Sequence, residues 1–275
     1  MQPVLTRLQT RRLDVDRFEA PPIPVMIGTR LFGGQVVAQS LDAAYSTVED
    51  RVCHSLHGYF VRAGDPARPL RFEVERIRDG GSFATRRVTA RQEEKEIFVL
   101  LASFHGVESG PSHQEPMPDA PPPSEILLLH VPRSPASGPA AIVDMLQVDP
   151  RPDPRSVMPP RKSVWIRAGD CMGAQLDRHH VALAFASDMN LLETAMRPHG
   201  LFWSTEGLLA TSLDHAVWFH RPFDFSQWLL FVQDSPTAHG GRCFVRGAVY
   251  AANGDHVATV AQEGLLRMRE AADRR

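Results

Sequence analysis

The chain has 275 residues, enough for one large domain or two small ones. Hydrophobic residues make up 43% and charged residues 23%, the balance of a globular protein with a packed core. A formal net charge of −2 gives no basic footprint for nucleic acid or an anionic membrane, and no segment approaches the ~20 apolar residues that a membrane span needs.

Cys53, Cys171 and Cys243 are odd in number and far apart. They fit neither a disulfide framework nor a zinc cage, and they point to a reducing compartment, read as the cytoplasm. Met1 to Arg17 has no apolar run of signal-peptide length, and the final Asp273-Arg274-Arg275 is no peroxisomal address. Lys95 and Lys162 are the only lysines; all other basic chain positions apart from histidine are Arg.

Asp14 to Phe18 alternates weakly, as a first strand does, and Pro21, Pro22 and Pro24 then interrupt regular structure. Gly33-Gly34 precedes a predicted helix over Gln35–Val48, whose apolar positions Val36, Val37, Leu41, Ala44 and Tyr45 recur at helical spacing. With Asp42 its only charge before the end, this helix is expected to be wrapped by other structure. Predicted strands follow at Ser55–Val61, Leu70–Ile77, Ser82–Gln92 and Glu96–Phe104. One central helix followed by a run of antiparallel strands is an α+β unit.

Residues 109–163 are rich in Pro and read as a linker, with a short helix expected around Ala140–Leu146. The division is therefore 1–108, a linker 109–163, and 164–275. The second part predicts a strand Val164–Arg167 and a helix Asn190–Arg197. Strands Leu209–His220, Trp228–Asp234, Arg242–Ala251 and Val257–Met268 follow, with Asn253-Gly254-Asp255 as a hairpin turn.

The two parts align without a gap at a constant shift of 159 residues. That shift pairs Phe60 with Phe219, Arg62 with Arg221, Asp65 with Asp224, Leu70 with Leu229 and Phe72 with Phe231. It also pairs Gly81 with Gly240, Arg87 with Arg246 and Ala102 with Ala261. Eight identities in 44 pairs compare with roughly three by chance, so the chain reads as a duplication. The same register sets Gln262 against Ser103 and Ser212 against Cys53, and a short shift brings Asp188 to the place of Gly33-Gly34. The polar set Asp188, Ser212 and Gln262 thus exists once, and one functional site is expected, carried by the second part.

The run Ser212-Leu213-Asp214-His215-Ala216-Val217-Trp218-Phe219-His220-Arg221-Pro222-Phe223 is the most distinctive stretch of the chain. It resembles the signature of the type II (TesB-like) acyl-CoA thioesterases. Ala186-Ser187-Asp188-Met189-Asn190, Phe244-Val245-Arg246-Gly247 and Gln262-Glu263-Gly264 extend the resemblance. So do Phe32-Gly33-Gly34-Gln35-Val36-Val37 and Arg62-Ala63-Gly64-Asp65-Pro66 in the first part. The resemblance implies a double hotdog: each unit lays its helix across a curved antiparallel sheet, and the two sheets pair edge to edge as a pseudo-dimer. It implies hydrolysis of fatty acyl-CoA to free acid and coenzyme A, with Asp188, Ser212 and Gln262 as the catalytic positions. Ser212 stands where relatives carry Thr or Ser. No metal and no organic cofactor is implied, since coenzyme A belongs to the substrate. Such a pseudo-dimer stands alone or pairs further into a homodimer or homotetramer.

These residue types suit the chemistry. A thioester has an electrophilic carbonyl and a thiolate leaving group that needs little acid assistance. One general base and one oxyanion site therefore suffice. Each residue also has a plainer role. Asp188 is read as lying just before a helix, where Asp caps well, although Asn190 and Glu193 already suggest a capping box there. Ser212 is an ordinary strand hydroxyl, whereas Gln262 lies in a small, apolar stretch where a buried amide needs partners.

His54, His57, His215 and His220 have no carboxylate partner fixed by sequence and are read as structural. Arg62, Arg221, Arg87 and Arg246 occur in both parts, which suggests architecture, such as a salt bridge to Asp65 or Asp224. Two rival functions remain at this level: a hotdog hydratase or dehydratase, which needs His with Asp or Glu, and a non-catalytic acyl-CoA binding module.

Overall fold

The structure is a computed structural model that describes residues 4–21, 23, 26–27, 30–129, 143–168 and 173–269. Pro22, Pro24, Ala140 to Ile142, Cys171 and both chain ends fall outside the described residues.

The first unit runs α1 (Val4–Leu8), β1 (Arg11–Asp14), β2 (Arg17–Ala20), β3 (Met26–Ile27), β4 (Arg30–Leu31) and α2 (Gly33–Tyr45). It continues through β5 (Val52–Phe60), β6 (Leu70–Asp79), β7 (Phe83–Gln92) and β8 (Lys95–His105). Between the units come α3 (Pro123–Leu129) and β9 (Val143–Gln147). The second unit contains β10 (Arg161–Ala168), α4 (Leu176–Ser187), α5 (Glu193–Met196), β11 (Leu208–Ser212), β12 (Asp214–Phe219), β13 (Leu229–His239), β14 (Arg242–Ala251) and β15 (His256–Met268).

Thirteen of these strands form one antiparallel sheet, ordered β1-β2-β6-β7-β8-β5-β12-β15-β14-β13-β10-β9, with β11 also on β15. The join between units is β5 against β12, where His57 lies opposite Ala216. The order outward from this join is the same on both sides: β5-β8-β7-β6 and β12-β15-β14-β13. The duplication is thus a physical one.

Helix α2 is apolar because it is enclosed. Gly34 to Leu41, Ala43 and Ala44 are all buried, and α2 packs against α4, which is buried from His179 to Ser187. Phe32 meets Phe185 edge-on at 5.1 Å, where the start of α2 crosses the end of α4. A Cβ on Gly34 would sit 2.5 Å from the Phe185 carbonyl oxygen, so this crossing depends on glycine.

Four sequence expectations need correction here. The central helix of the second unit is α4, which the sequence reading left unassigned; it is buried on all sides and carries no amphipathic stripe to detect. The helix expected over Asn190–Arg197 shrinks to α5 and a 3₁₀ turn at Arg197–His199. The expected capping box does not form: Asn190 is left-handed at φ 56°, and the Glu193 carboxylate bonds Lys162 instead. Where the helix expected around Ala140–Leu146 falls on described residues, from Val143 on, the chain is strand β9, which pairs with β10.

The expected salt bridges of Arg62 and Arg221 to Asp65 and Asp224 are also replaced. Arg62 donates to the Glu96 carbonyl at 2.8 Å and Arg221 to the His256 carbonyl at 3.1 Å. Both hold down the start of the last strand of their unit. Arg87 and Arg246 make cross-strand pairs with Glu75 and Asp234.

The Pro-rich segment lies on the second unit. Trp165 Nε1 donates to the Pro121 carbonyl, Gln114 Nε2 donates to the Gly254 carbonyl, and the His256 backbone N–H donates to Gln114 Oε1. Ile126, Trp165, Leu230 and Tyr250 form a small core of their own beneath it.

Candidate active site

Asp188 closes the C-terminal end of α4, rather than opening a helix as the sequence suggested. The helix delivers it to β11 and β15. Ser212 is the last residue of β11, and Gln262 lies on β15. The predicted strand Leu209–His220 breaks at Leu213 into β11 and β12. Ser212 pairs with Gly264 and Ala216 with Ala261, so three residues of one strand face two of the other. This is a β-bulge, a device that re-aims side chains beside sites. Asp214 stabilises it by accepting a hydrogen bond from the Glu263 backbone N–H.

The structure brings all three predicted residues together. Gln262 Nε2 donates to Asp188 Oδ1 at 2.9 Å, and Ser212 Oγ donates to the same oxygen at 3.3 Å. Gln262 Nε2 also donates to Ser212 Oγ. Gln262 is buried, while Asp188 and Ser212 are half-buried. One carboxylate oxygen is thus occupied by two donors. The other, Oδ2, faces the first turn of α2: a Cβ on Gly33 would stand 2.8 Å from it and 2.8 Å from the Phe60 ring. Only glycine lets the helix backbone come this close. The first-turn N–H groups of a helix have no intrahelical partners and carry its positive end.

A cavity of about 220 Å³ opens beside this point, lined by Gly33, Val36, Phe60, Phe98, Ser212 and Leu213, with Arg30 and Arg62 also at its wall. The first unit therefore supplies much of the wall and the helix terminus. Sequence reasoning, which assigned the site to the second part, missed this half. Gly33-Gly34 before an apolar helix was the signal.

The matching place in the first unit is plugged. Tyr45 ends α2 as Ser187 ends α4, and its hydroxyl accepts from the Cys53 N–H and lies 2.7 Å from His180 Nδ1. His180 stacks on Phe219 at 4.0 Å, and burial pushes its pKa down to about 3. Phe219 and Cys53 are the repeat partners of Phe60 and Ser212.

Strand register also moves one equivalence. Arg86 lies opposite Ala102, and its repeat partner Val245 lies opposite Gln262. The structural counterpart of Gln262 is hence Ala102, not Ser103. Ser103 Oγ bonds His54 Nε2 at 2.8 Å. Ser103→Ala is expected to keep thioester hydrolysis within about threefold of the parent, as for a residue outside the reaction. A large loss in a thiol-release assay would overturn the single-site reading.

Among the other candidate histidines, His57 packs edge-on against Trp218 and His220 bonds Thr259. His215 is fully buried beside the site, its Nε2 2.8 Å from Ser187 Oγ.

Two helix-and-sheet units joined edge to edge define a double hotdog. Residues 148–265 match the family model for acyl-CoA thioesterase, and residues 21–105 that for the acyl-CoA thioesterase N-terminal domain. The chain is 38% identical to human acyl-coenzyme A thioesterase 8, over 97% of this chain and 89% of that one. It is 33% identical to Haemophilus influenzae acyl-CoA thioesterase 2, over 88% and 89%. The crystal structure of the acyl-CoA thioesterase II TesB2 from Mycobacterium marinum is 39% identical, with a TM-score of 0.82 and 98% of both chains covered. The chain belongs to the TesB-like acyl-CoA thioesterase II family and is a thioester hydrolase acting on acyl-CoA.

Proposed function

We propose that Asp188 is the general base for direct attack of water on a fatty acyl-CoA thioester. The observation that carries this is the division of its carboxylate. Oδ1 is held by Ser212 and Gln262, while Oδ2 is turned toward Gly33 at the cavity wall. Water placed at Oδ2 loses a proton to it as its oxygen bonds to the thioester carbon. The carbonyl oxygen takes the negative charge and is met by the first-turn N–H groups of α2. Collapse breaks the C–S bond, the electron pair leaves on sulfur, and fatty acid and coenzyme A separate. General-base action contributes about 10²–10⁴-fold, and an oriented oxyanion donor about 10²–10³-fold. Arg30 and Arg62 at the cavity wall suit the phosphates of coenzyme A, and the cytoplasm is the proposed compartment.

The test is a single turnover in ¹⁸O-water with acyl-CoA esters from C2 to C18. Direct attack puts one ¹⁸O in the released acid, with no acylated protein on rapid quenching. An acyl group trapped on Asp188 would instead make that residue the nucleophile.

A further inference from the structure

Two buried polar atoms beside the site have no hydrogen-bond partner among the described residues: Gln262 Oε1 and His215 Nδ1. Orphaned buried polar atoms are uncommon in folded proteins. These two belong to opposed residues. Ala216 lies opposite Ala261 on β12 and β15, the last regular pair before the bulge, and continuing that register by one residue sets His215 against Gln262, whose carboxamide interacts with the ring. Opposed residues of an antiparallel pair project to the same face, with Cβ atoms about 4.5–5.5 Å apart. Burial pushes the His215 pKa down, while the Asp188 charge and the Gln262 carboxamide act the other way. A carboxamide that favours the protonated ring is one that offers its oxygen.

The rest of the pattern agrees. The Gln262 nitrogen is committed to Asp188 and Ser212, so its oxygen must look elsewhere. At the other end, Ser187 Oγ reaches His215 Nε2. Ser187 Oγ has one hydrogen and two acceptors in reach, the Ala184 carbonyl at 3.1 Å and His215 Nε2. Given to Nε2, it puts the single N–H of a neutral imidazole on Nδ1, the arrangement that leaves neither Nδ1 nor Gln262 Oε1 unpartnered. In the first unit the corresponding opposed pair is Leu56 with Ala102, both buried and both apolar. The polar pair is confined to the unit that carries Asp188.

We infer that His215 is a positioning residue, whose Nδ1–H donates to Gln262 Oε1 and fixes the carboxamide with its nitrogen on Asp188 and Ser212. The inference rests on the assignment of Gln262 to the site. Without this donor the carboxamide can turn over. Its oxygen then confronts the Asp188 carboxylate, and Ser212 loses its donor.

The test compares side chains that place an N–H differently. Asn offers its N–H near the position of Nδ1; Gln offers it near Nε2, although Gln is closer to His in volume. His215→Gln is expected to lower kcat about 100-fold with KM within about threefold, the split of an interaction felt in the transition state. His215→Asn is expected to recover at least about tenfold of that loss, which a packing role would not produce. His215→Leu copies the Leu56 side chain, serves if His215→Gln fails to fold, and is expected to be as slow as His215→Gln. In a Gln262→Ala background the same His215→Gln change should alter kcat by less than about threefold, since the two act as one unit. Losses that multiply, or a His215→Gln enzyme faster than His215→Asn, would overturn the inference while leaving the site intact. Turnover by Gln262→Ala near that of the parent would instead remove Gln262 from the site, and the inference with it.

Discussion

Asp188→Asn is expected to lower turnover at least about 100-fold while the protein keeps its fold, because it removes the proposed base at nearly constant volume. The amide oxygen can still accept from Gln262 and Ser212, so the arrangement around Oδ1 survives. At the place of Oδ2 stands an NH₂ group, which cannot take a proton from water and points at the positive end of α2. Its half-buried position on a helix end gives little reason for the fold to change. Thiol release at saturating acyl-CoA, together with a melting curve, checks both parts. Turnover within a few-fold of the parent rejects Asp188 as the base.

Glu193→Ala is expected to cost about 3–5 kcal/mol of stability, the usual result of stripping one partner from a buried ion pair. Lys162 and Glu193 are 3% and 4% exposed, and Lys162 Nζ lies 2.9 Å from Glu193 Oε2. Arg151 approaches the other carboxylate oxygen at 3.5 Å. Removing the carboxylate leaves Lys162 and the Arg151 side chain without the anion they share. Burial already pushes the Lys162 pKa down, so shedding its proton limits the damage. Urea unfolding of parent and variant reads the difference, and a loss below about 1 kcal/mol, the scale of a surface pair, would deny the cluster its structural role. Lys162 also donates to the Asn190 carbonyl at 2.7 Å. It thereby braces the left-handed turn two residues beyond Asp188.

The sheet was legible in the sequence because its strands alternate and its turns carry Gly, Asp and Asn. Arg242–Ala251 matches its predicted bounds, and Gly254 is left-handed in the expected turn, at φ 89°. Helix α4 was not legible. Arg178, His179 and His180 interrupt its apolar run, and a helix buried all round gives no stripe. That omission led to the misplacement of Asp188 at a helix start.

Asp188, Ser212 and Gln262 were singled out through their motifs, and the structure gathers them round one carboxylate oxygen. What spacing could not show was the contribution of Gly33 and Phe60, which come from the other half of the chain. The ungapped repeat likewise paired Gln262 with Ser103, because pairing by sequence ignores the register change near the last hairpin.

Gly33 belongs to the first unit and Asp188 to the second, so each half is incomplete without its neighbour. In a symmetric pair of identical chains, any substitution is made twice, and losing one site means losing both. Covalent fusion lifts that constraint. Each copy can then change alone, and the chain shows the result. One place keeps the polar set, while its mirror place, with Tyr45, His180 and Phe219, has become packing. With Asp188 in its proposed role, further change on the plugged side is restrained by stability alone, and on the open side by stability and turnover together.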